Sequence, residues 1–263
     1  MTANVLTDSA TMLRRSLRRM RRYPSLTLFI AGIPVVLLLL FVYVFGGTLG
    51  AGLGGPAGGR ADYIAYVVPG ILLVTVAGAA QGTAISMAMD MTEGIIARFR
   101  TMAIARASVL AGHVIGSVIQ TVLALVVVVV VAVAIGFRPT TGPIEWVAAF
   151  GVLILAAIAI TWLSVALGLV SNSVETASNL PMFLILLPFL SSGFVPVESM
   201  PGPLAWFAEH QPFTPIIETV RGLLLGTAIG TSGLLSVAWC VLISVAGYLW
   251  ARKLYDRDLV RTG

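Results

Sequence analysis

The sequence predicts an all-α integral membrane protein with six transmembrane helices and both termini in the cytoplasm. Three observations support this fold class. Apolar residues make up 58% of the 263 residues and charged residues 10%, with a mean hydropathy of +1.00. The apolar residues form long runs, and a bilayer core about 30 Å thick needs roughly 20 helical residues. The basic residues are distributed unequally between the two sets of connections. The six predicted spans are 26–45, 64–86, 110–136, 146–170, 180–197 and 233–251, within a single domain of residues 1–263.

The arginines predict the orientation. With the N-terminus inside, the outer connections hold only Arg60, Arg138 and Arg221, and the other thirteen basic residues are cytoplasmic. Such a bias is typical of inner loops. The net charge of +5 could suggest a nucleic-acid partner. The arginines lie next to the ends of spans, however, where anionic lipid head groups attract them. We therefore expect the lipid bilayer, and no nucleic acid, as the partner of these charges.

Residues 1–25 predict a cytoplasmic amphipathic helix in the inner head-group layer. At 100° per residue, Leu6, Leu13, Leu17 and Met20 share one narrow sector. The opposite half carries the basic residues Arg14, Arg15, Arg18, Arg19, Arg21 and Arg22. A basic tail that only fixes orientation is the alternative. A cleaved signal peptide is less favoured, because the first apolar run is longer than an ordinary signal segment.

Between the second and third spans, residues 89–106 gather charge in an otherwise apolar chain. A helix over 92–105 would place Ile95, Ile96 and Phe99 on one side, with Met102 and Ala103. Its other side would show Glu93, Arg98 and Arg100 to the cytoplasm. The periodicity equally allows a solvated loop that merely connects two spans.

The outer segment 198–232 is rich in proline and aromatic residues. Within it, residues 214–226 place Ile216, Ile217, Val220 and Leu224 on one face, with Glu218 and Arg221 three positions apart. This stretch is too short and too charged to cross a bilayer. It predicts an amphipathic re-entrant segment that enters the outer leaflet before the last span; a seventh, tilted span is the alternative.

Residue types needed for chemistry are sparse. His113 and His210 have no carboxylates at metal-ligand spacing, and Cys240 is the single cysteine, so we expect no metal site. The one lysine, Lys253, is not in a phosphate-binding loop. Among Asp, Glu, His, Lys and Arg, His113 is the one residue within the six predicted spans. We expect it to lie at the membrane interface and not to carry protons. We expect no catalytic or cofactor-binding residues, so any active transport must be powered by another polypeptide.

Two stretches resemble ABC-2-type permeases of the daunorubicin-resistance kind. The first is MDMTEGIIARFRTMAIARASVLAGHVIG, which matches the family pattern at Glu93, Gly94, Ile95, Arg98, Phe99, Arg100, Ala105 and Arg106 and differs at Ala103, where a proline is common. The second is residues 191–224, which match at Phe194, Pro196, Met200, Pro201, Gln211, Pro212, Thr214, Pro215 and Arg221. The two motifs occur in the family's order and on its expected sides of the membrane.

The resemblance implies a paired permease, as homodimer or heterodimer, that carries two separate ATP-binding cassette subunits. Those subunits would bind ATP and Mg²⁺. The residues implied in ATPase coupling are Glu93, Gly94, Arg98, Phe99 and Arg100, and those of the outer re-entrant signature are Pro212, Thr214, Pro215, Glu218 and Arg221.

The expected function is export of a hydrophobic or amphipathic compound, such as a drug, an antibiotic or a lipid-like molecule, across a bacterial inner membrane. Met, Phe and Trp with scattered amides and hydroxyls in the spans favour such a substrate. Export of a polysaccharide or lipid-linked glycan is the alternative within the family. A non-transporting membrane sensor or assembly subunit is the alternative from another class.

Overall fold

The computed structural model describes residues 24–53, 59–92, 106–171 and 173–261, and this part of the chain is helical with no strand. The α-helices, numbered in chain order, are α1 (Pro24–Leu40), α2 (Gly46–Ala51), α3 (Arg60–Thr92), α4 (Arg106–Ala134), α5 (Pro143–Val170), α6 (Val174–Asn179), α7 (Met182–Leu186), α8 (Gly202–His210), α9 (Phe213–Leu225) and α10 (Ser232–Arg261). Two short 3₁₀ helices lie at Leu187–Leu190 and Val197–Ser199.

Five helical stretches in the described residues are long and apolar enough to cross a membrane. They are Ile30–Ala51, Arg60–Thr92, Leu110–Ala134, Pro143–Val170 and Ser232–Tyr255. Each overlaps one of the predicted spans, so the prediction of a helical, multi-pass membrane protein is confirmed.

The predicted span over 180–197 is not one continuous helix. A series of short apolar helices covers Val174–Leu190 instead: α6 just before the predicted span, then α7 and the 3₁₀ helix Leu187–Leu190 within it. Pro181 and Pro188 explain the interruption, because proline has no backbone N–H and its ring clashes with the preceding turn of a helix. The structure therefore gives five long helices and one broken one, where six regular spans were expected.

The first long helix contains a π-helical turn at Phe41–Phe45, between α1 and α2. Near this turn the Phe41 ring lies 4.8 Å from the Phe194 ring and 6.3 Å from the Phe189 ring, centroid to centroid. Phe189 and Phe194 themselves stack at 4.5 Å. This aromatic cluster joins the first helix to the broken one.

Glycines allow close packing around α5, the helix at the centre of the bundle. A Cβ at Gly168 would lie 2.7 Å from the carbonyl oxygen of Ala84 on α3. A Cβ at Gly247 of α10 would lie 2.8 Å from the backbone nitrogen of Leu163. Small residues let membrane helices approach in this way. By contrast, Gly78, Gly82 and Gly151 have nothing within 4 Å of such a Cβ.

The two ends of the bundle are distinct. At one end the α4–α5 connection contacts the end of α9, through a hydrogen bond from Thr140 N to Leu224 O of 3.2 Å. At the other end lies a cluster of buried apolar residues: Met87, Leu110, Val114, Val165, Ala166, Leu169, Ala251 and Tyr255. Helix α5 separates the two by about 40 Å, at 1.5 Å per residue. Following the predicted orientation, we call the Thr140 end the outer end and the Tyr255 end the inner end.

Candidate functional site

The broken helix leaves backbone carbonyls without the partners that a continuous helix would supply. Two side chains from the following hairpin donate hydrogen bonds to them. Gln211 Nε2 donates to Leu190 O at 2.6 Å and to Leu187 O at 3.1 Å. Arg221 Nη2 donates to Ser192 O at 2.6 Å. Irregular backbone at membrane depth is tolerated only where such partners exist. We call Gln211 and Arg221 the carbonyl clamp.

The Arg221 donor of the clamp also reaches α3. Its Nη2 atom donates to Tyr66 O at 3.2 Å, and its Cζ atom lies 4.0 Å from the centroid of the Tyr66 ring. This is cation–π geometry. One guanidinium group therefore joins three elements: α9 that carries it, α3, and the chain just after the broken helix.

The electrostatics of Arg221 are those of a partly dehydrated cation. Burial lowers the pKa of its guanidinium, but arginine stays charged because its intrinsic pKa is far above neutral. Glu218, one turn earlier, accepts a hydrogen bond from Ser232 Oγ at 2.9 Å. Glu218 and Arg221, three positions apart in sequence, thus bind different partners.

Close approach of two backbones holds the segment after the broken helix against α3. A Cβ at Gly70 would lie 2.6 Å from Gly193 O. One residue later, Phe194 O accepts a hydrogen bond from the Tyr63 hydroxyl at 3.4 Å. The clamp and these contacts fix residues 190–194 along one side of the outer half of α3.

The signature residues of α9 shape the hairpin between α8 and α9. Pro212 directly precedes the helix, and Thr214 Oγ1 donates to Ala208 O at 2.5 Å, which closes the turn. Pro215 stands in the first turn of the helix, where a missing N–H costs no intrahelical bond. The next turn is joined to it by a hydrogen bond from Thr219 Oγ1 to Pro215 O at 2.7 Å.

The apolar face of α9 packs into the protein. Five of its residues, Phe213, Ile216, Ile217, Val220 and Leu224, are at most 3% exposed and belong to the main core. The structure covers this face with helices α5, α3 and α10, so the helix faces protein on that side. That the segment enters the outer leaflet stays a prediction. Periodicity shows that a face is apolar, but not whether lipid or protein covers it.

The outer end of α9 is attached to the α4–α5 connection. Thr140 Oγ1 donates to Leu225 O at 2.7 Å, and Thr141 Oγ1 donates to Leu224 O at 3.2 Å. The helix then ends at Gly226, whose φ of 71° is the left-handed conformation that favours glycine. Hydrogen bonds therefore hold the chain at both ends of helix α9: those of Gln211 just before its start, and those of Thr140 and Thr141 at its outer end.

At the inner end the structure brings together two residues that lie in different predicted segments of the sequence. Asp90 Oδ2 of α3 lies 3.1 Å from His113 Nε2 of α4. We placed Asp90 in the charged connection and His113 at an interface. Helix α3 continues to Thr92, beyond the predicted limit at 86, and so carries Asp90 into the bundle. Asp90 lies three residues after Met87, so the two share one side of a continuous helix. This spacing was the sequence pattern that could have indicated the position of Asp90.

The remaining predicted site residues lie outside the residues that the structure describes. These are the coupling residues Glu93, Gly94, Arg98, Phe99 and Arg100, and the interfacial arginines Arg14, Arg15, Arg18, Arg19, Arg21 and Arg22. Their roles stay predictions. Within the described ranges no three His, Cys, Asp or Glu side chains are grouped so as to hold a metal ion.

Comparison with known proteins gives one family and a consistent set of relatives. The model of the ABC-2 type transporter family matches residues 8–225. A daunorubicin resistance ABC transporter permease protein, DrrB1 of Streptomyces coeruleorubidus, is 30% identical over 227 residues, which cover 86% of this chain and 78% of the relative. A probable doxorubicin resistance ABC transporter permease protein, DrrC of Mycobacterium tuberculosis, is 25% identical over 183 residues, which cover 68% of this chain and 66% of the relative.

Proposed function

The chain belongs to the family of ABC-2 type transporters, and from this we propose that it is the permease subunit of an exporter powered by a separate ATP-binding cassette subunit. The proposed cargo is a hydrophobic or amphipathic compound. The observation that carries the proposal is the similarity over 86% of the chain to a permease named for daunorubicin resistance. The bacterial sources of the relatives favour a bacterial plasma membrane as its location.

Six crossings, with both termini in the cytoplasm, fit the fold. Leu169 belongs to the inner cluster, while Leu224 contacts the α4–α5 connection at the outer end. The chain must therefore pass from inner to outer end between these residues, and α6, α7 and the following 3₁₀ helix provide the path. The broken helix would be the fifth crossing, and α8 with α9 a hairpin inserted before the sixth. The excess of cytoplasmic arginines supports the same orientation.

The chemistry of α3 supports an amphipathic cargo. This helix is largely buried, but one stripe along it is partly exposed: Gly78, Gln81, Gly82, Ile85, Ser86 and Met89. Small, apolar and weakly polar groups alternate there, and the Gln81 amide donates to Ser178 O of α6 at 2.7 Å. We infer that a second copy of the permease faces this stripe, with the cargo passing between the two copies. A surface of this composition can contact an apolar molecule and still bind a few polar groups.

Reconstitution tests the proposal. The chain, co-expressed with the ATP-binding subunit that purifies with it, would be placed in proteoliposomes with doxorubicin as the fluorescent probe. We expect ATP-dependent accumulation that vanadate abolishes, and none when the phosphate-binding lysine of the ATPase is replaced. A complex that hydrolyses ATP but moves a lipid-linked glycan and no doxorubicin would assign the alternative cargo. Absence of any ATP-dependent transport would exclude the exporter role.

A further inference from the structure

The Asp90–His113 pair joins the two helices that enclose the predicted coupling segment. Asp90 lies two residues before α3 ends at Thr92, and His113 lies in the second turn of α4, which begins at Arg106. The structure describes both side chains, although the segment 93–105 between the helices lies outside the described residues. The pair therefore bridges the base of the connection that would contact the ATPase.

Burial distinguishes this pair from ordinary surface charges. The side chain of Asp90 is 7% exposed and that of His113 is 18% exposed. Exposed ion pairs contribute little, whereas truncating one partner of a buried polar contact costs more, because the other group is shielded from water and loses a hydrogen-bond partner. Burying a carboxylate that is 7% exposed is costly unless it is paired or hydrogen-bonded. The contact between Asp90 and His113 therefore constrains the relative position of α3 and α4 more strongly than a contact between two exposed side chains would.

The surroundings of the pair form a continuous packed block. Met87, one turn before Asp90, belongs to the inner apolar cluster together with Leu110 and Val114 on either side of His113. The same cluster includes residues of α5 and α10, among them Ala251 and Tyr255. Gly168 of α5 lies against Ala84 and Met87 of α3. Outside the pair, the charged side chains that the structure describes in this region are Arg252 and Lys253, which are exposed on α10.

We propose that Asp90 and His113 are positioning residues that form a strut, so that α3 and α4 move as one body when the ATPase displaces the segment between them. The proposal rests on the proposed function. Without the strut, a displacement of the segment could be absorbed by separation of the two helix ends. With it, the same displacement reaches the packed block and hence the transport path along α3. Rigid-body movements of packed helices are an established means of transmission in transporters and switches.

The first test measures the strut without the ATPase. In a Cys240→Ser background, spin labels at Thr92→Cys and Ile115→Cys, both exposed, report the distance between the inner ends of α3 and α4. We expect a narrow distribution in the parent and a broader one in Asp90→Ala and His113→Ala. The swapped variant Asp90→His with His113→Asp should restore the narrow distribution. Glu175→Ala, an exposed acidic residue on α6, is the matched control and should leave it unchanged.

The second test measures coupling in the full complex. For Asp90→Ala and His113→Ala we expect normal expression and normal co-purification of the ATPase, but a loss of doxorubicin transported per ATP hydrolysed of about five- to a hundredfold, the range of ordinary coupling effects. The swapped variant should recover most of it, which a role in packing alone would not predict. Glu175→Ala should transport as the parent does.

The outcomes are separable. Unchanged distances, or broadened distances with unchanged transport per ATP, would overturn the strut and leave the exporter function intact. Loss of ATPase binding in the alanine variants would also overturn it, because the pair would then shape the docking surface and not transmit movement. A parent complex without ATP-dependent transport would overturn the proposed function, and the strut proposal with it.

Discussion

Gly70 of α3 and Gly193, just after the broken helix, are in backbone contact: a Cβ at Gly70 would lie 2.6 Å from Gly193 O and 2.9 Å from Gly193 Cα. The atoms that oppose a side chain at Gly70 belong to the main chain, so they cannot rotate away. The fold of the outer half of the bundle thus depends on two residues 123 positions apart in the sequence both lacking a side chain.

We predict that Gly70→Ala destabilises the protein. The added methyl group must push the broken segment away from α3, and overpacking of this kind costs about 1–3 kcal/mol. The measurement is the midpoint of thermal unfolding of the purified protein in detergent. Gly151→Ala is the matched control, since Gly151 is helical and has nothing within 4 Å of the new Cβ. Equal midpoints for the two variants would contradict the prediction.

We predict that Arg221→Lys weakens the carbonyl clamp although the charge is kept. Lysine has no planar fork with which to reach Ser192 O and Tyr66 O together, and it would lose the guanidinium contact with the Tyr66 ring. Loss of a buried hydrogen bond costs about 1–3 kcal/mol. We expect a lower unfolding midpoint and reduced transport at unchanged membrane insertion.

Arg138→Lys provides the comparison for the clamp variant. Arg138 also donates to two carbonyl oxygens, those of Val133 and Phe137, but it is exposed, so water can replace the lost bonds. Its substitution should change neither stability nor transport measurably. If Arg138→Lys and Arg221→Lys had equal effects, the clamp would have no special role.

The topology is predicted to place the Thr140 end of the bundle outside. In a Cys240→Ser background, cysteines at Thr48 and Thr141 should react with a membrane-impermeant thiol reagent in intact cells. Cysteines at Thr101 and Thr262 should react only after permeabilisation. Cys240 is 1% exposed, so its replacement removes little background reactivity. Labelling of the Thr101 position in intact cells would show that the orientation is reversed.

Residues 93–100 are predicted to bind the ATPase. The triple variant Arg98→Glu, Phe99→Ala, Arg100→Glu would remove an aromatic anchor and reverse two charges at that interface. Breaking a buried charge pair at an interface costs roughly 2–5 kcal/mol, which corresponds to a loss of affinity of about thirtyfold to a few thousandfold. We expect normal insertion, as judged by the thiol pattern, and loss of ATPase from the purified complex. Full co-purification of the ATPase would exclude this segment as the coupling element.

The sequence predicted the long helices well because a single physical requirement, about 20 apolar residues, defines them. Spans predicted at 64–86, 110–136 and 146–170 all lie mainly within observed helices α3, α4 and α5. The limits differ because a helix can continue past its apolar run, as α3 does to Thr92.

The broken helix and the inner pair could not be predicted in the same way. A helix with Pro181 and Pro188 has nearly the same hydropathy as one without them, so composition indicates an apolar segment and not its geometry. Asp90 and His113 belong to different helices, and their contact depends on how α3 and α4 pack. The signature residues of α9 were identified in the sequence, but their hydrogen-bond partners depend on the tertiary fold.

The π-helical turn at Phe41–Phe45 gives the first helix one residue more than a regular α-helix needs over the same rise. Deleting a residue there would let the turn relax to an ordinary helix and leave the direction of both flanking parts nearly unchanged. Deleting one residue elsewhere in this helix would rotate everything beyond it by about 100°, one residue's share of a 3.6-residue turn. The first helix therefore has a single place where its length can change by one residue without rotating its two halves against each other, and Phe41 stands at the start of it.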